Sequence, residues 1–171
     1  MKEIKIRPAV PEDGATIIEI MTIAHEAMED KDAYITDDLP YIEKHLGDEG
    51  FGLIAEVDGV PAGFFVVCIP QKTGDNLGYH LDFTEEQLMK TAIMDTAAVL
   101  PEFQCMGLMG RMFSTAVEMA EGTYPYLLGT VHPDNTPSRR NFEKNGFTPM
   151  KTIVKPSGTL RLLMGRFKET L

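Results

Sequence analysis

Apolar and polar residues alternate at the start of the chain, where Ile4 and Ile6 sit between charged neighbours, and this predicts a short strand ending near Pro8. The period then lengthens. Ile17, Ile20, Met21, Ala24, Ala27 and Met28 recur at helical spacing behind Pro11-Glu12-Asp13-Gly14, with Asp13 expected as N-cap. A polar link from Glu29 to Ala33 leads to a shorter helix from about Asp38 to Leu46, stopped by Gly47. Phe51–Val57 and Ala62–Cys68 flank Asp58-Gly59, the signature of a tight antiparallel hairpin. The stretch from Pro70 to Leu81 is aperiodic and turn-rich, and Thr84-Glu85-Glu86-Gln87 is a capping box for a short helix to about Lys90.

A second apolar run, Ala92 to Leu100, reads as a strand ended by Pro101. Beyond a glycine-bearing turn, Leu108, Met109, Met112, Phe113, Ala116, Val117 and Ala120 form the apolar stripe of a helix that closes at Gly122. Tyr124–Val131 predicts another strand, Pro133-Asp134-Asn135 a turn, and Ser138–Asn145 a helix with Asn145-Gly146 as its left-handed cap. Pro149–Lys155 and Thr159–Arg166 read as a final hairpin around Pro156-Ser157-Gly158. The order β-α-α-β-β-(α)-β-α-β-α-β-β, without repeat or linker, predicts one mixed α/β domain over residues 1–171.

Composition narrows the function. Net charge is −10, with the acids spread through the chain, which argues against a nucleic-acid partner because that surface is normally basic. An acidic surface suits an amine ligand, although it more often serves solubility. Cys68 and Cys105 are the only cysteines and fit neither a metal-ligand spacing nor a disulfide framework, so no metal is expected. The start Met-Lys-Glu-Ile-Lys-Ile has no signal-peptide core, and no apolar run nears the ~20 residues of a membrane helix. These features lead to the expectation of a cytoplasmic, reduced protein without a membrane partner.

The chemistry concentrates in two stretches. The strand–turn–helix around Gly107 presents backbone N–H groups and the positive end of a helix dipole, which suits a phosphate. Neither the dinucleotide fingerprint nor the nucleoside-triphosphate loop is present. Val99, Pro101, Gln104, Gly107 and Met109 match the signature V-x-P-x-x-[Q/R]-x-x-G-x-[G/A] except at its last position. Downstream, Asn135, Ser138, Phe142, Glu143, Gly146 and Phe147 match N-x-x-[S/A] followed by aromatic-Glu-x-x-Gly-Phe. In this order and spacing the two motifs resemble the GNAT superfamily of acetyl-CoA-dependent N-acetyltransferases, over residues 94–147 and, through the flanking elements, nearly the whole chain.

The resemblance implies the GNAT α/β fold, a central mostly antiparallel sheet of about seven strands flanked by helices. It implies acetyl-CoA as co-substrate, held by Gln104, Cys105, Met106, Gly107, Leu108, Met109 and Gly110 around its pyrophosphate. The backbones of Ala98 and Val99 would pair with the pantetheine arm and polarise the thioester carbonyl, while Asn135, Ser138 and Phe142 would border the arm. Capping of the second helix is the competing role for Asn135 and Ser138. Many members carry a general-acid tyrosine where this chain has Phe142, which leaves Tyr124, Tyr126 and Cys105 as proton donors to weigh.

For the base that frees the attacking amine, strand alternation from Val99 places Ile93, Asp95 and Ala97 on one face, and only Asp95 among them ionises. His132, at a strand end, is the second candidate. In the resemblance the two N-terminal helices and their loop form the acceptor wall. The 70–90 insert is long for a connection, so either Tyr79 or His80 touches the acceptor or the insert is a packed surface excursion. The reading is thus transfer of an acetyl group to a primary amine of a small or amino-acid-like acceptor. A non-catalytic acyl-CoA sensor is the alternative that Phe142 suggests. Leu160, Leu162 and Leu163 are either core or the face of a homodimer.

Overall fold

A computed structural model describes residues 1–168. Seven strands form one sheet in the order β1-β2-β3-β4-β5-β7-β6: β1 Ile4–Pro8, β2 Gly50–Val57, β3 Val60–Cys68, β4 Thr91–Val99, β5 Tyr126–Val131, β6 Thr148–Val154 and β7 Leu160–Phe167. Every neighbouring pair is antiparallel except β4 and β5, which run parallel with the helix α4 (Leu108–Glu121) as their crossover. The mixed α/β class and the helix-flanked sheet of seven strands are as expected from the sequence.

The hairpin β2–β3 turns on Asp58 and Gly59, both at positive φ (50° and 80°), so the turn twists with its strands. Period-three-and-four burial puts α4 on one face of the sheet. Leu108, Met112, Phe113 and Ala116 pack there with Phe65, Met94 and Val99. Phe113 lies edge-on to Phe65, Phe142 and Phe147, with ring centroids 4.9–5.7 Å away. Full burial of such side chains stabilises the fold by roughly 1.5–3 kcal/mol each. The opposite face takes α1 (Gly14–Glu26) and α2 (Leu39–His45), whose Ile17, Ile20, Met21 and Ile42 bury against Ile54, Phe64 and Val66.

Two local expectations change. Asp13 precedes α1 but makes no side-chain cap bond. Its carboxylate instead takes both terminal nitrogens of the Arg7 guanidinium at 2.9 Å and the Val10 amide at 2.8 Å, because the cation reaches it from β1. Helix α1 ends at Glu26, so Ala27 and Met28 lie beyond it. The 70–90 insert folds into a 3-10 turn, Leu77–Leu81, and α3, Glu85–Met89, with the capping box formed by Thr84 and Gln87. Leu77, Leu81 and Phe83 bring this insert down on Ile93, Leu128 and Leu163. Leu163 is therefore core, while Leu160 is exposed.

Candidate active site

The sheet opens at its centre. Parallel pairing of β4 with β5 covers only Thr91–Met94 against Tyr126–Gly129, although β4 continues to Val99 and β5 to Val131. Beyond Met94 the two strands part, and a cavity of about 750 Å³ runs through the gap from one face to the other. Gly129 sits at the last paired position. A Cβ there would lie 2.5 Å from the Phe142 ring, so the ring of α5 (Thr136–Lys144) packs directly on the strand where the opening begins.

On the α4 side the cavity is floored by backbone. The residues that the sequence suggested for the cofactor, Ala98, Val99, Gln104, Cys105, Gly107, Leu108, Met109, Gly110, Asn135, Ser138 and Phe142, all border it. Met106 is the exception, and its side chain packs against the α4 core. Cys105 and Gly107 both adopt positive φ (67° and 75°), and Gly107 caps α4 without any side-chain acceptor. The first helical bond runs from the Arg111 amide to the Gly107 carbonyl at 3.1 Å, leaving the amides of Leu108, Met109 and Gly110 for an anion. Arg111 and Lys144 flank an adjoining hollow of about 460 Å³ beside Gly107 and Gly110, a cationic setting that the motifs did not reveal. Asn135 caps α5, its side-chain oxygen accepting the Ser138 amide at 3.2 Å, and still borders the cavity.

The free edge of β4 corrects one detail. The Leu100 amide bonds to the Ala62 carbonyl at 2.8 Å, and Ala98 pairs with Phe64 two residues earlier in the same ladder. Polar groups alternate along a strand, so those of Ala98 are committed to β3, while Ala97 and Val99 present theirs to the gap. The pair facing a ligand in the opening is Ala97 and Val99, not Ala98 and Val99.

On the opposite face the register changes as well. Val66 pairs with Thr96 and Val67 with Met94, so Asp95 is an extra residue, a bulge with no ladder partner on β3 or on β5. The bulge breaks the simple alternation. Ala97 joins Val99 on the α4 face, whereas Asp95 and Thr96 both turn toward the α1–α2 side. Asp95 does reach the cavity, on the face opposite to Val99.

Its carboxylate accepts the Tyr41 hydroxyl at 2.7 Å, and the Tyr34 hydroxyl shares a hydrogen bond of 2.8 Å with Thr96 Oγ1. Asp95 is open to solvent through the cleft and enclosed by protein elsewhere. That enclosure raises its pKa, opposed by the Tyr41 hydrogen bond and the charges of His45 and Lys155. Asp37 borders the same space, and burial, with the Asp95 charge, pushes its carboxyl up to about 7. Tyr34, Asp37 and Tyr41 come from the α1–α2 connection and α2, where the sequence offered no motif.

Further expectations are revised. Tyr79 and His80 lie away from the cavity. The Tyr79 hydroxyl is tied to the Lys72 carbonyl at 2.7 Å, and the His80 carbonyl accepts Lys151. Tyr124 packs on the α4 core and Tyr126 lies tilted against Phe83 and edge-on to Phe167, so neither borders the cavity, while Cys105 does. His132 borders it too, but its Nδ1 accepts the Asp134 amide at 3.1 Å, which places the proton of the neutral ring on Nε2.

Residues 16–147 match the family model of the acetyltransferase (GNAT) family, well over half of the chain. The chain belongs to the GNAT acetyltransferases. Solved structures share the GNAT architecture at low identity. An acetyltransferase of the GNAT family from Streptococcus pneumoniae superposes with a TM-score of 0.71 at 18% identity, covering 96% of this chain and 99% of its own. The ribosomal-protein-S18-alanine N-acetyltransferase of Escherichia coli gives a TM-score of 0.73 at 14% identity, over 99% and 96%. The protein yncA of Salmonella typhimurium, solved with acetyl-CoA, gives 0.68 at 22% identity, over 96% and 93%. No curated protein sequence matches significantly. In this GNAT acetyltransferase Phe142 is buried, packed by Phe113 and Phe147. Among its described residues no helix is long and apolar enough to cross a membrane.

Proposed function

We propose that the protein transfers the acetyl group of acetyl-CoA to a primary amine of a small or amino-acid-like acceptor, by direct attack in a ternary complex. The observation that carries this reading is the one cavity through the sheet, with an amide-lined turn on one face and Asp95 on the other. Acetyl-CoA, the ligand of the Salmonella neighbour, fits the first half. Its pyrophosphate would lie on the amides of Leu108 to Gly110, and its pantetheine arm along the free edge of β4 at Ala97 and Val99.

The acceptor enters from the α1–α2 side as an ammonium. Asp95 takes one of its protons, directly or through a water, and enclosure, by raising its pKa, makes it a stronger base than a free carboxylate. The freed lone pair forms the C–N bond at the thioester carbonyl carbon. The oxygen becomes an oxyanion, received by a backbone N–H of the β4 edge. Collapse restores the carbonyl and breaks the C–S bond, the pair leaving on sulfur. A thiolate is a stable enough leaving group (reference thiol pKa about 8.5) to depart without a tyrosine acid, and it then takes a proton from solvent. After amide formation the remaining surplus proton passes to water, and Asp95 releases its own.

His132 is the second choice for this role because the Asp134 amide already occupies its Nδ1 lone pair. The sensor reading comes from Phe142, which cannot give a proton, but a thiolate leaving group does not require one and Asp95 and Asp37 border the cavity. The test is calorimetric titration with acetyl-CoA followed by thiol release over a panel of amines that includes a peptide α-amine. Micromolar binding with turnover is expected. Absence of acetyl-CoA binding would overturn the cofactor reading, and binding without turnover on any amine would overturn transfer.

A further inference from the structure

Four charged side chains share the acceptor half of the cavity: Asp37 and Asp95 on the α2–β4 wall, Lys155 and Arg161 on the β6–β7 hairpin. Among the described residues none of the four makes an ion pair within 4 Å. Opposite charges that border one cavity and stay apart leave a space that a ligand with both charges could bridge.

Register explains how the cations reach it. Arg161 pairs with Ile153, and Ile153 and Leu163 pack with Ile93 on the sheet face that also carries Asp95. Lys155 follows Ile153 by two residues and therefore shares that face, opposite to the α4 turn where the phosphates belong. Arg161 is only 4% exposed. Its terminal nitrogens donate to the carbonyls of Leu160 (2.9 Å) and Asp32 (2.7 Å), and its other N–H groups have no acceptor among the described residues. The guanidinium is hydrogen-bonded to neutral carbonyls alone, with the Asp32 and Asp30 charges acting on it without an ion pair, and a carboxylate in the cavity is a natural complement. Burial also lowers the pKa of Lys155, against the opposing pull of Asp95, so an anion there would strengthen its charge.

We propose that Lys155 and Arg161 form a carboxylate subsite, so that the acceptor is an amino acid or amino-acid-like zwitterion whose ammonium faces Asp37 and Asp95. This rests on the acetyl-transfer reading above, which leaves the acceptor's second group open. Arg161 also ties the hairpin to the segment covering the cavity through the Asp32 carbonyl, so carboxylate binding and the placing of Tyr34 and Asp37 share one anchor.

The experiment compares glycine, 4-aminobutyrate, 5-aminopentanoate, lysine and glutamate with their carboxamides and with butylamine as acceptors. At least one acid is expected to exceed its own amide in kcat/KM by about tenfold or more. Lys155→Met should erase that preference mainly through KM, and Lys155→Arg should restore it. Amides that match or outperform their acids throughout, or a preference that survives Lys155→Met, would overturn the subsite while leaving acetyl transfer intact. If no amine is turned over, transfer itself falls. The subsite is then decided by calorimetric titration with 5-acetamidopentanoate and its amide: acid-selective binding lost in Lys155→Met supports it, and no selectivity overturns it.

Discussion

The two halves of the cavity are built from different materials. The cofactor half is mostly backbone: the amides that begin α4, the free edge of β4, and a turn whose shape depends on Gly107 at φ 75°. The acceptor half is side chains, with Asp95, Asp37, Tyr41, Lys155 and Arg161 brought from β4, α2, its preceding connection and the last hairpin. A backbone site must be written with residues that permit its geometry, and those residues sit at fixed spacing. A side-chain site can draw on distant elements, and leaves no spacing to read.

That contrast can be broken by substitutions that should each injure one half alone. Asp95→Asn should lower kcat by ~10²–10⁴-fold while leaving the acetyl-CoA dissociation constant unchanged by calorimetry. An intact kcat would remove Asp95 as the base. Gly107→Val should do the reverse. A β-branched residue at positive φ costs ~1–3 kcal/mol, so acetyl-CoA binding should weaken by roughly 5- to 150-fold with little change in acceptor KM. Gly129→Ala tests the junction between the halves. Its Cβ would overlap Phe142, which Phe113 and Phe147 hem in, so a loss of ~1–3 kcal/mol in stability is expected by denaturant titration. Unchanged stability would mean that the ring is free to move away.

Smaller effects sharpen the comparison through pH. Asp37, with its pKa pushed up to about 7, must ionise to receive an ammonium, so kcat/KM should climb as pH rises through that region. Asp37→Asn removes that titration, so the ascending limb near pH 7 should disappear from the profile. A limb that stays put would mean that a group other than Asp37 sets it. Far from the cavity, the Asp13 pKa is held below the usual carboxylate range by its hydrogen bond with Arg7. A depressed folded-state pKa gives stability that is present above the unfolded value of about 3.9 and is lost as pH falls through the folded one. Arg7→Met should therefore cost about 1–2 kcal/mol at neutral pH and progressively less below pH ~4, as seen in urea titrations at several pH values.

The fold was largely legible because each element announces itself locally. The stripe from Leu108 to Ala120 and the Asp58-Gly59 hairpin needed no tertiary information. The glycine turn was legible for the same reason. The face of Asp95 was not, because a bulge is a property of two strands and the period-two rule assumes none. Arg161 and Asp32 meet across 129 residues of chain, and nothing in either neighbourhood marks them as partners. Tyr79 and His80 drew attention by residue type in a long insert, yet that insert is held down by Leu77 and Phe83 on the core.

The bulge at residue 95 has an evolutionary consequence. A residue with no ladder partner on either neighbouring strand can be exchanged at little cost to the sheet. Lengthening, shortening or neutralising that side chain leaves the pairing of Thr96–Val99 with β3 in place, and with it the edge offered by Ala97 and Val99. A change at position 95 can thus alter the catalytic group without disturbing the coenzyme half, a local freedom through which one scaffold can change its chemistry without first losing its fold.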